Sequence, residues 1–180
     1  TSQEHSIIFR REAVQLTGIE ERMTKILGTR KGYNSQDGVW RLPEGKVMEL
    51  GSVKEVSDWV KYQGRPHDFK GFDEITHFAE LQFRTLIGWL RTDKPDIRQR
   101  VVAAGNPPTT AEGEWVKRYW APWLDPQHHN PAKPGELRWY VSNEKGEDQE
   151  VPSGDPVMVG NELVKPKSRT FIPSSVDDNL

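Results

Sequence analysis

Short apolar runs alternate with helix-period stretches over roughly the first 120 residues, and this restricts the chain to an α/β layer with a largely parallel sheet. The strand-like run His5-Ser-Ile-Ile-Phe9 comes first. Ala13, Leu16, Ile19, Met23 and Ile26/Leu27 then recur every three or four positions, with Gly28 placed where a helix stops. Val39-Trp-Arg-Leu42, the turn Pro43-Glu-Gly45 and Lys46-Val-Met-Glu-Leu50 read as a hairpin. Ser52 is placed to cap a second helix carrying Val53, Val56, Trp59 and Val60, ended at Gly64. A short segment, Asp68-Phe-Lys-Gly-Phe72, leads into Asp73-Glu74. A helix is expected from Ala79 to Arg91 with Phe83, Leu86, Ile87 and Leu90 inward. Gln99 to Ala104 reads as a buried strand closed by Gly105-Asn106-Pro107-Pro108, and a last helix carries Trp115, Val116, Tyr119 and Trp120. Strand order is not legible at this level.

After Pro122 the texture changes, since seven of the 13 prolines fall between Pro122 and Pro166. One hairpin stands out there: Leu137 to Val141, a turn at Asn143-Glu-Lys-Gly146, and a polar return strand ending near Val151. The expected division is therefore a core over residues 1–121 and a Pro-rich, hairpin-bearing extension over 122–180. Composition removes several function classes. No cysteine is present, which excludes disulfide scaffolds and Cys-based zinc sites. A formal net charge of −2 disfavours a strongly basic nucleic-acid binder, while leaving room for a local basic face. No apolar stretch approaches the roughly 18–20 residues that span a bilayer, and no membrane partner is expected.

The chemistry centres on Asp73-Glu74 at a strand's end. Ligands of α/β sheets gather outside the carboxyl ends of the strands. Two adjacent acids there can divide the work of nucleotide hydrolysis, the first holding magnesium through water and the second polarising the attacking water. The dipeptide alone carries little weight, because 27 acids in 180 residues give about four adjacent pairs by chance and the chain has four. Gly105-Asn106 closes the next strand, and an asparagine there offers a donor and an acceptor to a phosphate or a water. The bland reading is an Asn-Pro turn. Order raises the odds: strand, acid pair, helix, strand, polar sensor is the second half of a P-loop ATPase core. The first half is missing, as no G-x-x-x-x-G-K-[ST] occurs among the 180 residues.

Taken in order, Phe9-Arg-Arg11, Trp40-Arg-Leu-Pro-Glu-Gly45, Lys61-Tyr-Gln-Gly64, His67 through Phe78 and Ala104-Gly-Asn-Pro107 resemble the ATPase domain of the terminase large subunit, the DNA-packaging motor of tailed bacteriophages. Gly113-Glu-Trp-Val-Lys-Arg118, Gly135-Glu-Leu-Arg-Trp139, Arg169-Thr-Phe-Ile-Pro173 and Asp178-Asn179 continue the resemblance over nearly the whole chain. It implies a partial P-loop NTPase fold of the RecA-like type, a three-layer mostly parallel sheet with a hairpin-bearing extension. It also implies a phosphate-cradling loop before Thr1 and a nuclease domain after the closing Asp-Asn. Asp73 becomes the Walker B magnesium carboxylate and Glu74 the catalytic base. Ala104, Gly105 and Asn106 become the coupling motif, and Arg65 the candidate arginine supplied to a neighbouring subunit. Arg10 and Arg11 are further candidates to reach nucleotide. The implied cofactors are ATP and Mg2+. The implied partners are double-stranded DNA, a portal protein, a small terminase subunit and further copies of the chain in a ring, within the host cytoplasm. Two departures are visible: Lys70 and Gly71 interrupt the expected apolar strand, and Ala104 stands where a hydroxyl residue is common. Lys70 is expected at an edge, or with its stem laid over apolar surface.

Two rival readings belong to other classes. One is a non-catalytic interaction module working through the aromatic, Pro-rich final third. The other is a two-metal nuclease using Asp68, Asp73 and Glu74. Among the discounted features, His128-His129 near Asp125 makes a poor metal site, and His67 and His77 read as structural hydrogen-bonders. Trp115, Trp120 and Trp123 read as core rather than a base-stacking platform. Lys165, Lys167 and Arg169 form a basic strip whose default is a solvated face.

Overall fold

The computed structural model describes residues 4–90 and 96–175. The chain divides into two compact units, Thr1–Val116 and Lys117–Leu180. In the first, β1 (His5–Arg10) is followed by α1 (Leu16–Leu27), β2 (Tyr33–Asn34), β3 (Val39–Arg41), β4 (Val47–Ser52), β5 (Phe69–Asp73), α2 (Glu80–Gly88) and β6 (Arg100–Ala104). The six strands form one mixed sheet in the order β2-β3-β4-β1-β5-β6. The four strands β4, β1, β5 and β6 pair in parallel, while β2 and β3 add an antiparallel margin. The α/β expectation is met at this level.

Most local expectations have a structural counterpart. Gly28 ends α1 in the left-handed region, φ 68°, where a side chain on Cβ would be strained. The hairpin at Pro43–Gly45 pairs Trp40 with Met48 as the alternation requires. Two expectations fail. Ser52 ends β4 rather than capping a helix; the following turn is a 3-10 segment, Val56–Tyr62, opened by Glu55. Val56 and Val60 are exposed there while Val53 is fully buried and Trp59 half-buried, so the expected continuous apolar face is not formed. The strand before Gly105 is not buried either: among the described residues β6 pairs only with β5, and Val102 is 52% exposed. Arg91, the expected end of the helix starting near Ala79, lies outside the described residues.

One face of the parallel strands carries an aromatic core, and the fully buried Trp40 lies on the other face against Tyr33. Phe9 and Phe72 stack with centroids 5.2 Å apart, and Phe72 meets Phe78 and Phe83 edge-on. Trp115, from α3 (Trp115–Tyr119), packs on Phe83 and donates its indole N–H to the Phe78 carbonyl at 2.8 Å. Trp115 is thus core, as expected. Burying each such ring contributes about 1.5–3 kcal/mol, which favours α2 closing over this face. Lys70 lies within this layer. It is fully buried in a central strand, not at an edge, and its Nζ donates to the Leu86 carbonyl at 2.6 Å, near the end of α2.

In the second unit, α4 (Ala121–Leu124) precedes β7 (Arg138–Ser142), β8 (Asp148–Val151), β9 (Val157–Val159), β10 (Glu162–Val164) and β11 (Lys167–Arg169). The expected hairpin is β7 with β8, and β11 pairs with the other side of β7. β9 and β10 form a second hairpin that the sequence reading lacks. Arg169 is no part of a solvated strip. Its guanidinium lies over the Tyr119 ring at 3.4 Å and the Tyr140 ring at 4.1 Å, and it pairs with Asp148 at 2.7 Å. Lys165 and Lys167 remain exposed. Among the described residues no helix is long and apolar enough to cross a membrane.

Candidate functional site

Parallel pairing brings the sequence-predicted residues to one rim. In the β5–β6 register Asp73 stands opposite Ala104, so Glu74 and Gly105-Asn106 leave the sheet side by side. Arg10 ends the adjacent strand β1 and holds Asp73. Its Nε donates to Oδ2 at 2.7 Å and its Nη2 lies 2.5 Å from the same oxygen. The Asp73 side chain is one-third exposed at the rim. Glu74 adopts φ 56°, ψ 59°, a left-handed conformation that costs a non-glycine residue about 1–2 kcal/mol. Strain of this kind persists where surrounding structure imposes it and clusters at working sites. Asn106 Nδ2 approaches Glu74 Oε1 at 3.5 Å, and Thr76 Oγ1 donates to the Asn106 carbonyl at 3.2 Å.

Gly105 fits this rim because it has no side chain. A Cβ built there would meet Ile75 N at 3.0 Å and Glu74 Cα at 3.3 Å, both backbone atoms that cannot swing away. Gly105→Ala should therefore displace Glu74 by a few tenths of an ångström. If the rim hydrolyses nucleotide as the resemblance implies, turnover should drop about tenfold or more while nucleotide affinity changes little, as measured by steady-state kinetics and equilibrium binding. Unchanged turnover would show that the glycine only fills space.

The other candidates lie elsewhere. Arg11 does not point free of the chain: its Nη1 donates to the His77 carbonyl at 2.7 Å and to Glu112 at 3.0 Å. Arg65 precedes β5, at the opposite end from Asp73, and its guanidinium lies 2.5 Å from Glu49 Oε2. Asp68 is buried beside it and accepts the His5 backbone N–H at 2.9 Å. Asp68 precedes the five-residue strand that Asp73 ends, which sets them about 16 Å apart along the chain, too far to share a metal pair. That removes the nuclease arrangement of Asp68, Asp73 and Glu74. At His128-His129 the rings lie 4.4 Å apart and His128 Nδ1 faces the Asn130 carbonyl.

One cluster has no signature in the sequence. At the amino ends of the parallel strands, His5 Nε2 lies 2.6 Å from Glu49 Oε1 and His67 Nε2 lies 3.7 Å from Glu49 Oε2. Burial alone would raise the Glu49 carboxyl, but the imidazoles of His5 and His67 and the Arg65 charge outweigh it. The carboxyl is held well below the ordinary range. Burial, the largest influence on His67, pushes its imidazole down. His67 was expected to act as a structural hydrogen-bonder. Its Nδ1 faces the Arg65 carbonyl at 3.1 Å, while its Nε2 is buried without a hydrogen-bond partner. The chain matches no protein-family model, no curated protein and no solved structure.

Proposed function

We propose that these residues form part of a nucleotide-hydrolysing motor of the terminase large-subunit type, in which ATP hydrolysis drives double-stranded DNA into a procapsid. The observation that carries this reading is the rim: an acid pair and an asparagine leave adjacent parallel strands side by side, with an arginine fixing the first acid. The sheet order supports the RecA-like type as well. The acid-pair strand lies inside the parallel group, and β6 carries an unpaired outer side among the described residues, with Val102 exposed beside it. An added parallel strand bearing a phosphate-cradling loop would fit that side and bring the loop to the same rim.

The donor set suits magnesium triphosphate. Hard carboxylate oxygens on a partly exposed rim are what such an ion takes, and Asp73 would hold it through water. The ion and nucleotide supply an electrophilic γ-phosphorus whose developing charge is neutralised. The chain's own residues do the rest. Glu74 accepts a proton from a water near the rim, Arg10 holds and aims the Asp73 carboxylate, and Asn106 steadies the Glu74 carboxylate. Arg65, on this reading, serves a neighbouring copy in a ring, and would have to leave Glu49 to do so. The portal protein and small subunit belong to the same proposal.

The test joins these residues to a phosphate-cradling segment and measures ATP hydrolysis with and without DNA. Magnesium-dependent, DNA-stimulated turnover that Asp73→Ala removes is expected, with none from the 180 residues alone. Turnover by the 180 residues alone, or turnover that survives Asp73→Ala, overturns the reading.

A further inference from the structure

The cluster at the amino ends of the strands is independent of the rim. His5 opens β1, Glu49 lies on β4 next to it, and His67 sits just before β5, β1's other neighbour. Three adjacent strands thus converge on it. Each residue offers one ligand atom, and the three atoms all lie within 4.8 Å of one another.

His67 supplies the decisive detail. The Arg65 carbonyl can only accept a hydrogen bond, so the His67 Nδ1 facing it at 3.1 Å carries the ring proton. In the neutral ring Nε2 then presents a bare lone pair. That atom is buried with no hydrogen-bond partner, the residue is 1% exposed, and a carboxylate oxygen faces it at 3.7 Å. A lone pair set against an anion is unfavourable unless a second ring proton or a metal cation lies between them. The Nδ1–H to carbonyl bond is also the arrangement that fixes a metal-binding imidazole in orientation and tautomer.

We propose that His5 Nε2, Glu49 and His67 Nε2 bind one divalent transition-metal ion, zinc by preference. Two imidazoles and one carboxylate match zinc's ligand chemistry and suit magnesium poorly. A tetrahedral site separates such ligand atoms by about 3.3 Å, given bonds of roughly 2.0–2.2 Å. The 2.6 Å contact between His5 and Glu49 opens slightly as the metal replaces the shared proton, and the other separations close. Arg65 keeps its hold on Glu49 Oε2, neutralising part of the carboxylate charge and orienting it. The His5 side chain is 34% exposed, so a water completes the fourth position from that side. The ion pins the entrances of β4, β1 and β5 together. The carboxyl rim with Asp73 lies at the far end of β5, so this site and the Asp73–Glu74 chemistry stand or fall separately; only the role proposed for Arg65 in a neighbouring copy, which needs Arg65 off Glu49, competes with it.

Chelator-treated protein titrated with zinc sulfate in a calorimeter should take up one equivalent and unfold at a temperature several degrees higher. Cobalt(II) should give the intense visible absorption of a tetrahedral site. His5→Gln, at a side chain one-third exposed, should weaken zinc binding at least tenfold with far-UV circular dichroism unchanged; Glu49→Gln should do the same. His128→Ala/His129→Ala should leave binding intact, and excess magnesium should not compete. No zinc uptake by the folded wild-type chain overturns the proposal. So does unchanged affinity in His5→Gln, or loss of binding in the His128/His129 variant.

Discussion

Glu74→Gln should lower ATP turnover about a hundred- to ten-thousandfold in a polypeptide that joins this chain to a phosphate-cradling segment, with nucleotide affinity almost unchanged. The magnitude is what general-base catalysis contributes when the base is removed. Glutamine keeps the size of the side chain, and its amide oxygen can still accept from Asn106, whose Nδ2 approaches Glu74 Oε1 at 3.5 Å. It cannot take a proton from water. Affinity should hold, because Arg10 still aims Asp73 and nothing in the strand register changes. The strained backbone at Glu74 helps to separate chemistry from packing: the left-handed turn aims the side chain, and glutamine adopts it at similar cost. Single-turnover kinetics and equilibrium nucleotide binding on the same preparation read both quantities. Turnover within a few-fold of the parent would remove Glu74 from the chemistry and leave the rim a structural feature.

How much of this was readable in the residues depended on whether the signal was local. Gly28, the Pro43–Gly45 turn and the Gly105-Asn106-Pro107 stop mark element ends through backbone preferences that need no tertiary context. The strands at His5 and Arg100 were legible from apolar runs. Asp73 and Asn106 could be nominated as strand-end residues, but their adjacency required the β5–β6 pairing, which no single sequence specifies. The same limit hid the second cluster. His5, Glu49 and His67 are far apart in the chain, and Glu49 looks like an ordinary polar position of a hairpin until β4 is laid beside β1. The helix expected after Ser52 failed for a related reason: Val56 and Val60 keep a helical period, yet both stay exposed among the described residues. Periodicity records what a segment offers, and packing decides whether anything accepts it.

Lys70→Ala should destabilise the fold by about 3–5 kcal/mol, and Lys70→Met by only about 1–3. Lys70 stands where the apolar pattern of a central strand is broken, and the structure explains how such a residue is accommodated. Its side chain is fully buried on the face covered by α2, the same face on which Phe72 meets Phe83. The four-carbon stem fills that space as an apolar side chain would, and truncating a buried side chain of this length to alanine costs about 2–5 kcal/mol. The ammonium adds a second contribution. It donates to the Leu86 carbonyl at 2.6 Å near the carboxyl end of α2, as a second donor beside the Trp89 backbone N–H at 3.3 Å, at a helix end where a cation is favoured. Methionine keeps the stem but leaves that carbonyl without this donor, at a cost of about 1–3 kcal/mol. It also removes a charge that was expensive to bury, which is why its loss should be the smaller one. Urea unfolding of the two variants beside the parent, with slopes compared to exclude a changed unfolded state, measures both. Equal losses would show that the ammonium, and not the stem, carries the position. A methionine variant more stable than the parent would show that the Leu86 carbonyl never needed the donor, and that the charge is kept for something other than holding the sheet to its helix.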